Sequence, residues 1–356
     1  MKIRTVKGDI SPEEAGLVLP HEHVFIDLHC YWEEPRGKKA RELARKKVSM
    51  SVLGNLRENP ECIEDNFTVS SVADVVEELE SFKAAGGKTI VDATTVGIGR
   101  SPKSLRRAAD QSHLNIVAGS GYYVGISQPR SVRDWSKEKM TQEIVKDLTV
   151  GIGDSEVRAG IIGEIGALND EPNKLEAKSL AAAGRSQEET GAGIILHTTP
   201  KAALKLLKLL RDNGADLGKV VAAHADALLS RRNTSTAMYS PEERLSHYSL
   251  VTKSGSYIAF DGFGAEYWNV SNDDVFYSRP RDFERAEQIA ELIREGLLRH
   301  ILISQDHCFK SHMKKYGGFG WEHTPLRITR LLKWAGLSDA DVHTILVENP
   351  ARFLAF

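Results

Sequence analysis

The sequence is poor in cysteine, in net charge and in long apolar runs, and each shortage excludes a class of protein. The 356 residues include three cysteines, Cys30, Cys62 and Cys308, which are too few and too widely spaced for a disulfide framework. This scarcity favours a cytoplasmic protein. A formal net charge of −2 argues against nucleic acid or a membrane surface as the main partner.

Targeting and membrane-spanning segments are also missing from the pattern. The opening residues, MKIRTVKGDISPEEAG, lack the apolar centre of a signal peptide and carry acidic residues early. No later stretch approaches the roughly 20 apolar residues of a membrane-spanning helix. We therefore expect a protein that acts on a small molecule, with a homodimer as a possible assembly.

Short apolar or β-branched runs recur along the whole chain and are separated by longer amphipathic stretches. This rhythm is typical of βα units around a parallel sheet. Eight runs read as strands, the number in a (β/α)₈ barrel: Gly16 to His23, Lys88 to Thr94, Asn115 to Gly119, Ala159 to Gly166, Gly191 to Thr198, Lys219 to Asp226, Ser256 to Gly262 and His300 to Asp306. The sequence therefore predicts an α/β TIM barrel.

Three intervening stretches have a helical apolar period and end at glycine: Val72 to Gly87, Lys201 to Gly214 and Glu284 to Gly296. Residues 30–71 are less regular and contain a strongly basic run. We interpret them as a partly helical insertion after the first strand, and the basic run as a solvated helix face. One barrel domain over residues 1–356 accounts for the whole pattern.

Histidines stand at the ends of three predicted strands. His21 and His23 are two positions apart, so both imidazoles project to the same face. His197 ends GIILH and His224 ends VVAAH. Each histidine alone is compatible with a structural role, but all four together predict a metal site, because imidazole suits zinc and other first-row ions.

Two carboxylates complete this predicted site. Glu164 lies in the apolar stretch GIIGEIG, where a charge is costly unless it is paired or bound to metal, and its two oxygens suit a bridge between two cations. The alternative is a buried salt bridge to arginine. Asp306 ends ILISQD, where it suits a metal ligand that also accepts a proton, or else a helix N-cap.

The motifs LPHEH, KTIVDATTVGIGR, GIIGEIG, IILHT, VAAHAD, ILISQD and VENPARF span the chain in order, and with them the sequence resembles the phosphotriesterase family of the amidohydrolase superfamily. The resemblance implies two divalent metal ions, zinc or alternatively manganese, and a bridging hydroxide. It implies that His21, His23 and Asp306 hold one metal, that His197 and His224 hold the other, and that Glu164 bridges them.

This chain departs from most members of the family at two positions. Glu164 stands where most carry a carboxylated lysine, as in the branch of phosphotriesterase homology proteins. Well-studied phosphotriesterases also carry an aspartate three residues after the sixth-strand histidine and pair it with a later histidine. Here Asp226 follows His224 by two, and the seventh strand offers no histidine. The resemblance places Tyr123 near the metals.

These features predict a metal-dependent hydrolase in which Asp306 takes the proton from the attacking water. Because the proton relay is incomplete, a small carboxylic ester or lactone is the expected substrate ahead of a phosphotriester. Two other functions are compatible with the pattern. One is a mononuclear amidohydrolase such as a deaminase, and the other is a barrel that binds a ligand without catalysis.

The loops after the last two strands predict the substrate contacts. They contain basic and aromatic groups, and Tyr123 adds a phenol from the third strand. A basic, aromatic-lined mouth suits an anionic substrate, whereas the alternative is that these charges are solvated surface groups. The candidate residues are Tyr123, Tyr267, Trp268, Lys310 and His312, with Arg279 and Arg281 close by in the chain.

Overall fold

The computed structural model describes residues 1–234, 236–270 and 276–356. Its central feature is a sheet of eight parallel strands, nearly closed into a barrel, in which each strand pairs with its neighbours in sequence. The predicted TIM barrel is thereby confirmed. The strands are β1 (Leu17–Glu22), β2 (Gly87–Asp92), β3 (Asn115–Ser120), β4 (Ile161–Gly166), β5 (Gly193–His197), β6 (Val220–Ala222), β7 (Tyr257–Phe260) and β8 (Ile301–Ile303).

Successive side chains along each strand point alternately into the barrel interior and toward the layer under the helices. Ile195 belongs to the interior apolar cluster, whereas its neighbour Ile194 belongs to the larger outer cluster. Side chains two positions apart share a face. His197 therefore continues the inward row of Ile195, and Asp261 continues the inward row of Ala259, so the apolar interior gives way to polar groups at the carboxyl end of the strands.

Helices surround the sheet. The first two lie in the insertion after β1, and those that follow alternate with the strands or close the chain. They are Lys38–Ala44, Leu53–Glu58, Val72–Ala84, Pro102–Ser112, Arg130–Arg133, Lys137–Thr149, Lys174–Thr190, Ala203–Asp212, Pro241–Lys253, Asp282–Arg294, Thr329–Trp334, Asp339–His343 and Asn349–Leu354. None of those in the described ranges is long and apolar enough to cross a membrane.

Residues 30–71, which we interpret from the sequence as an insertion after the first strand, contain the first two of these helices. Within this segment, Val48, Val52, Leu56 and Ile63 form a small apolar cluster of their own. The insertion also contacts the loop after β8, where the amide nitrogen of Ser311 donates a hydrogen bond to Asn66 Oδ1 at 2.8 Å. It thus covers part of the carboxyl end of the barrel.

Glu22 joins the first strand to the last at the seam where the described residues show no backbone ladder. Its fully buried carboxylate accepts four hydrogen bonds from beyond β8. The donors are Ser304 Oγ at 2.7 Å, Gln305 N at 2.7 Å, His307 N at 3.0 Å and Trp321 Nε1 at 3.1 Å. A side chain thus replaces the missing strand pairing next to His21 and His23.

We expect Glu22→Gln to lower the free energy of unfolding by about 2–4 kcal/mol, because the new NH₂ group would face donors that need an acceptor, at about 1–3 kcal/mol each. Urea denaturation followed by circular dichroism measures the change. Glu13→Gln, at an exposed glutamate, is the control, and it should change the free energy of unfolding by no more than about 0.5 kcal/mol. A loss below about 1 kcal/mol for Glu22→Gln would show that this carboxylate does not hold the seam.

Candidate metal centre

The structure brings together all six side chains that the sequence singles out as metal ligands. They come from five strands and project from the carboxyl end of the barrel. His21, Glu164 and His197 lie within β1, β4 and β5, and the other three follow the ends of their strands: His23, His224 and Asp306. Convergence of parallel strands at one end explains how residues far apart in sequence meet here.

The carboxylate of Glu164 stands at the centre of the four imidazoles. Its Oε1 lies 2.8 Å from His197 Nδ1, 2.9 Å from His224 Nε2 and 3.5 Å from His21 Nε2. Its Oε2 lies 3.8 Å from His23 Nε2. Burial alone would raise the pKa of Glu164, but His197 and His21 outweigh it and hold the pKa well below its ordinary value. The carboxylate is therefore ionised.

Asp306 closes the other side of the cluster. Its Oδ1 lies 3.3 Å from His23 Nε2 and 3.8 Å from His21 Nε2. Both Asp306 (φ 48°) and His224 (φ 58°) adopt the left-handed backbone conformation that non-glycine residues rarely take. Such conformations persist where the surrounding structure imposes them, and they often mark functional sites.

Asp261, directly after β7, is the residue that the sequence analysis missed. Its carboxylate is fully buried and contacts His21 Nδ1 at 2.8 Å and His224 Nδ1 at 3.0 Å. It also accepts a hydrogen bond from the backbone nitrogen of His224. Burial would raise its pKa, but His224 and His21 hold the pKa of Asp261 below its ordinary range. The signal was present, because Asp261 ends a strand as the predicted ligands do.

Asp261 decides which nitrogens of two histidines face the centre. A carboxylate only accepts hydrogen bonds, so the Nδ1–H groups of His21 and His224 donate to Asp261 and their Nε2 atoms face the centre. Yet His224 Nε2 lies 2.9 Å from Glu164 Oε1, another acceptor. His21 Nε2 is buried and has no hydrogen-bond partner in the described structure. These contacts require positive charge at the centre, from protons or from metal cations.

His23 is oriented by a different group. The hydroxyl of Thr94 lies 2.9 Å from His23 Nδ1, and it has Phe25 O at 3.0 Å and Asp92 Oδ1 at 2.9 Å as acceptors. Since one hydroxyl donates one proton and Thr94 has two other acceptors, His23 Nδ1–H donates to Thr94 and Nε2 faces Asp306. Partners of this kind fix the tautomer and orientation of metal-binding imidazoles.

Donor atoms within 4.8 Å of one another form three groups among the described residues. The third is His21, His224 and Asp261, and the other two match the division implied by the family resemblance. Of these two, one is His21, His23 and Asp306, and the other is Glu164, His197 and His224. Imidazole and carboxylate donors suit divalent zinc or manganese. The buried, partnerless Nε2 of His21 also fits a metal ligand. The residues present are therefore suited to hold divalent cations.

The cavity in front of the metal ligands has a volume of about 260 Å³ and includes two of the predicted substrate residues, Tyr123 and Tyr267. The hydroxyl of Tyr123 lies 3.2 Å from His197 Nδ1. Burial raises the pKa of Tyr123 well above its ordinary value, so the phenol keeps its proton. It is available as a hydrogen-bond donor beside the centre.

The other three predicted substrate residues lie outside this cavity. Trp268 is 47% exposed and packs near Phe276. Lys310 makes an ion pair with Asp65 at 2.9 Å. His312 lines a neighbouring cavity of about 430 Å³, for which Tyr267 provides part of the wall. These three residues follow β7 and β8 in the chain, as the sequence predicts, but their side chains do not line the cavity in front of the metal ligands.

Asp226 does not take part in a relay with histidine. Its carboxylate is buried and accepts a hydrogen bond from Arg285 Nε at 2.7 Å. Arg285 is fully buried and also contacts Asp282 at 3.1 Å and the carbonyl of Pro280 at 2.7 Å. This pair ties the loop that carries His224 to the helix Asp282–Arg294, so its role is structural.

Comparison with known proteins agrees with this geometry. A model of the phosphotriesterase family matches residues 1–354. The chain belongs to the phosphotriesterase family. N-acetyltaurine hydrolase from Dictyostelium discoideum is 33% identical over 375 residues, which cover 99% of this chain and 97% of that protein.

Two crystal structures show the same fold. A resiniferatoxin-binding protein from Rhodobacter sphaeroides has 30% sequence identity and a TM-score of 0.91, over 99% of this chain and 95% of that chain. The phosphotriesterase homology protein from Escherichia coli, complexed with phosphate in the active site, has 26% identity and a TM-score of 0.75 over 96% of this chain and 99% of that chain. Membership of this family supports metal-dependent hydrolysis.

We expect Asp261→Asn to weaken metal binding by about 10- to 100-fold, since an amide cannot accept hydrogen bonds from both imidazoles and keep both Nε2 atoms aimed at the centre. Competition with a chromophoric chelator measures the affinity. Asp110→Asn, at an exposed helix position, is the matched control. Unchanged affinity in Asp261→Asn would contradict the orienting role.

Proposed function

We propose that this protein is a hydrolase that uses two divalent cations to cleave a small acyl compound. The observation that carries the proposal is the contact of Glu164 with His197, His224 and His21, three groups that present nitrogen lone pairs or protons to one carboxylate. Cations held by these imidazoles would balance the charge of the carboxylate. Glu164 would then be a ligand shared by both groups of donors, and the cations would supply an activated water.

The chain's own residues would carry the proton transfers. When bound, two cations lower the pKa of a shared water from about 15.7 toward about 7 and polarise the carbonyl oxygen of the substrate. Asp306 lies in the cavity and is suited to accept the proton of the attacking water. The hydroxyl of the water adds to the acyl carbon, the bond to nitrogen or oxygen breaks, and the leaving group takes the proton from Asp306.

A carbonyl substrate is favoured over a phosphotriester. Asp226 is bound to Arg285 and so does not supply the aspartate–histidine pair that well-studied phosphotriesterases use. The relative from Dictyostelium discoideum is named N-acetyltaurine hydrolase, and its similarity extends over nearly the whole of both chains. We therefore place an N-acyl amide of this kind first among the substrates, and small carboxylic esters and lactones second, since all share attack of water on an acyl carbon.

The substrate class is tested by supplying metal-loaded protein with N-acetyltaurine, a small γ-lactone and a phosphotriester at equal concentration. We expect the largest kcat/KM for N-acetyltaurine and the smallest for the phosphotriester. Removal of metal by a chelator should abolish all turnover, and added zinc or manganese should restore it. Turnover that survives complete metal removal, or a preference for the phosphotriester, would contradict the proposal.

The role of Asp306 is tested by Asp306→Asn, which keeps the shape of the side chain but removes the proton acceptor. We expect kcat to fall by about 100-fold or more, with the melting temperature little changed. Asp134→Asn, at an exposed position, is the control. Turnover close to that of the parent in Asp306→Asn would refute the assignment.

A further inference from the structure

We propose that Arg279 anchors an acidic group of the substrate, a carboxylate or a sulfonate, in the cavity that faces the metal ligands. This inference rests on the proposed function and deepens it, because it names the substrate as an acyl compound that carries a negative charge. It also names the residue that selects for that charge.

Arg279 is held in position by two contacts with Tyr267. The backbone nitrogen of Arg279 donates a hydrogen bond to Tyr267 O at 3.1 Å. The guanidinium carbon lies 5.3 Å from the centroid of the Tyr267 ring, which is the geometry of a cation–π contact. Arg279 lines the same cavity as Glu164 and Asp306. The guanidinium of Arg279 thus forms part of the wall of the candidate substrate cavity.

Among the described residues, the guanidinium of Arg279 donates no hydrogen bond. Arg279 Nε is buried without a partner, and within the described ranges no carboxylate lies within 4.0 Å of the group. Other shielded arginines are paired, such as Arg285 with Asp226 at 2.7 Å and Arg100 with Asp147 at 2.6 Å. A buried donor without a partner is costly, so a ligand that completes it gains affinity.

Glu61, from the insertion, is the acidic group of the cavity wall that belongs to no metal-ligand group. It makes no ion pair with Arg279 at 4.0 Å or less in the described structure. Arg279 therefore remains open to an anion from outside the chain.

The rest of the cavity limits the size of that anion. Its wall includes the aromatic rings of Tyr31, Phe67 and Tyr123, and its volume of about 260 Å³ is just below the usual range for ligand pockets. The planar guanidinium presents parallel N–H groups that match two oxygens of a carboxylate or sulfonate. A compact substrate fits, with an acyl bond at the metal ligands, a short spacer and an acidic group at Arg279.

The test compares N-acetyltaurine with N-ethylacetamide, which contains the same amide and lacks the sulfonate. Arg279→Met should lower kcat/KM for N-acetyltaurine by about 10- to 100-fold, mainly through KM, and change that for N-ethylacetamide by less than about 3-fold. Arg279→Lys keeps the charge but not the planar guanidinium. Its kcat/KM for N-acetyltaurine should lie between that of the parent and that of Arg279→Met. Arg281→Met, at an exposed arginine two residues on, is the matched control and should match the parent.

Calorimetric binding of N-acetyltaurine to metal-loaded protein is the second readout. We expect the parent to bind at least 10-fold more tightly than Arg279→Met, while circular dichroism shows both to be folded. An equal loss of kcat/KM for both compounds in Arg279→Met, or equal affinity of parent and Arg279→Met for N-acetyltaurine, would contradict the proposal that Arg279 binds the acidic group. Absence of turnover by the parent would count against the proposed function alone, since the binding comparison still decides the role of Arg279.

Discussion

The chemistry of this protein depends on imidazoles and carboxylates that meet in a buried space. Asp261 accepts hydrogen bonds from the Nδ1–H groups of His21 and His224, so the Nε2 atoms of both rings face the carboxylate of Glu164. The 2.9 Å contact between His224 Nε2 and Glu164 Oε1 is favourable in a low-dielectric interior only with positive charge between the two atoms, from a proton or from a metal cation. The donors are therefore placed where they could hold a cation, and Asp306 stands in a second such group with His21 and His23.

The strands of the barrel and the buried charged groups around them hold this site in place. Because side chains alternate along β5 and β7, His197 and Asp261 point inward where the apolar interior ends. Glu22 lies between two predicted ligands, faces the other way and ties the loop after β8 to β1. The buried pair of Asp226 and Arg285 fixes the loop after β6. The charged groups of these contacts, which are costly to bury, are therefore matched by partners within the fold, whereas Arg279 Nε has no partner among the described residues.

Local pattern was sufficient to predict the eight strands and the convergence of the six candidate ligands, because each of these residues lies near the end of an apolar run and parallel strands end on one side. Asp261 follows the same rule, although its strand contains no histidine. The directions of Lys310 and His312 were beyond sequence reasoning, since contacts with the insertion set the path of their loop. The partner of Asp226 was equally hidden, because Arg285 lies 59 residues away in sequence.

Anomalous diffraction from crystals grown with zinc tests whether two cations bind at the mouth of the barrel. Data collected on both sides of the zinc absorption edge locate each bound ion without reference to activity. We expect two anomalous peaks, one beside His21, His23 and Asp306 and one beside His197 and His224, with the carboxylate of Glu164 between them. A single peak, or no peak at this end of the barrel in crystals that contain zinc, would contradict the proposal.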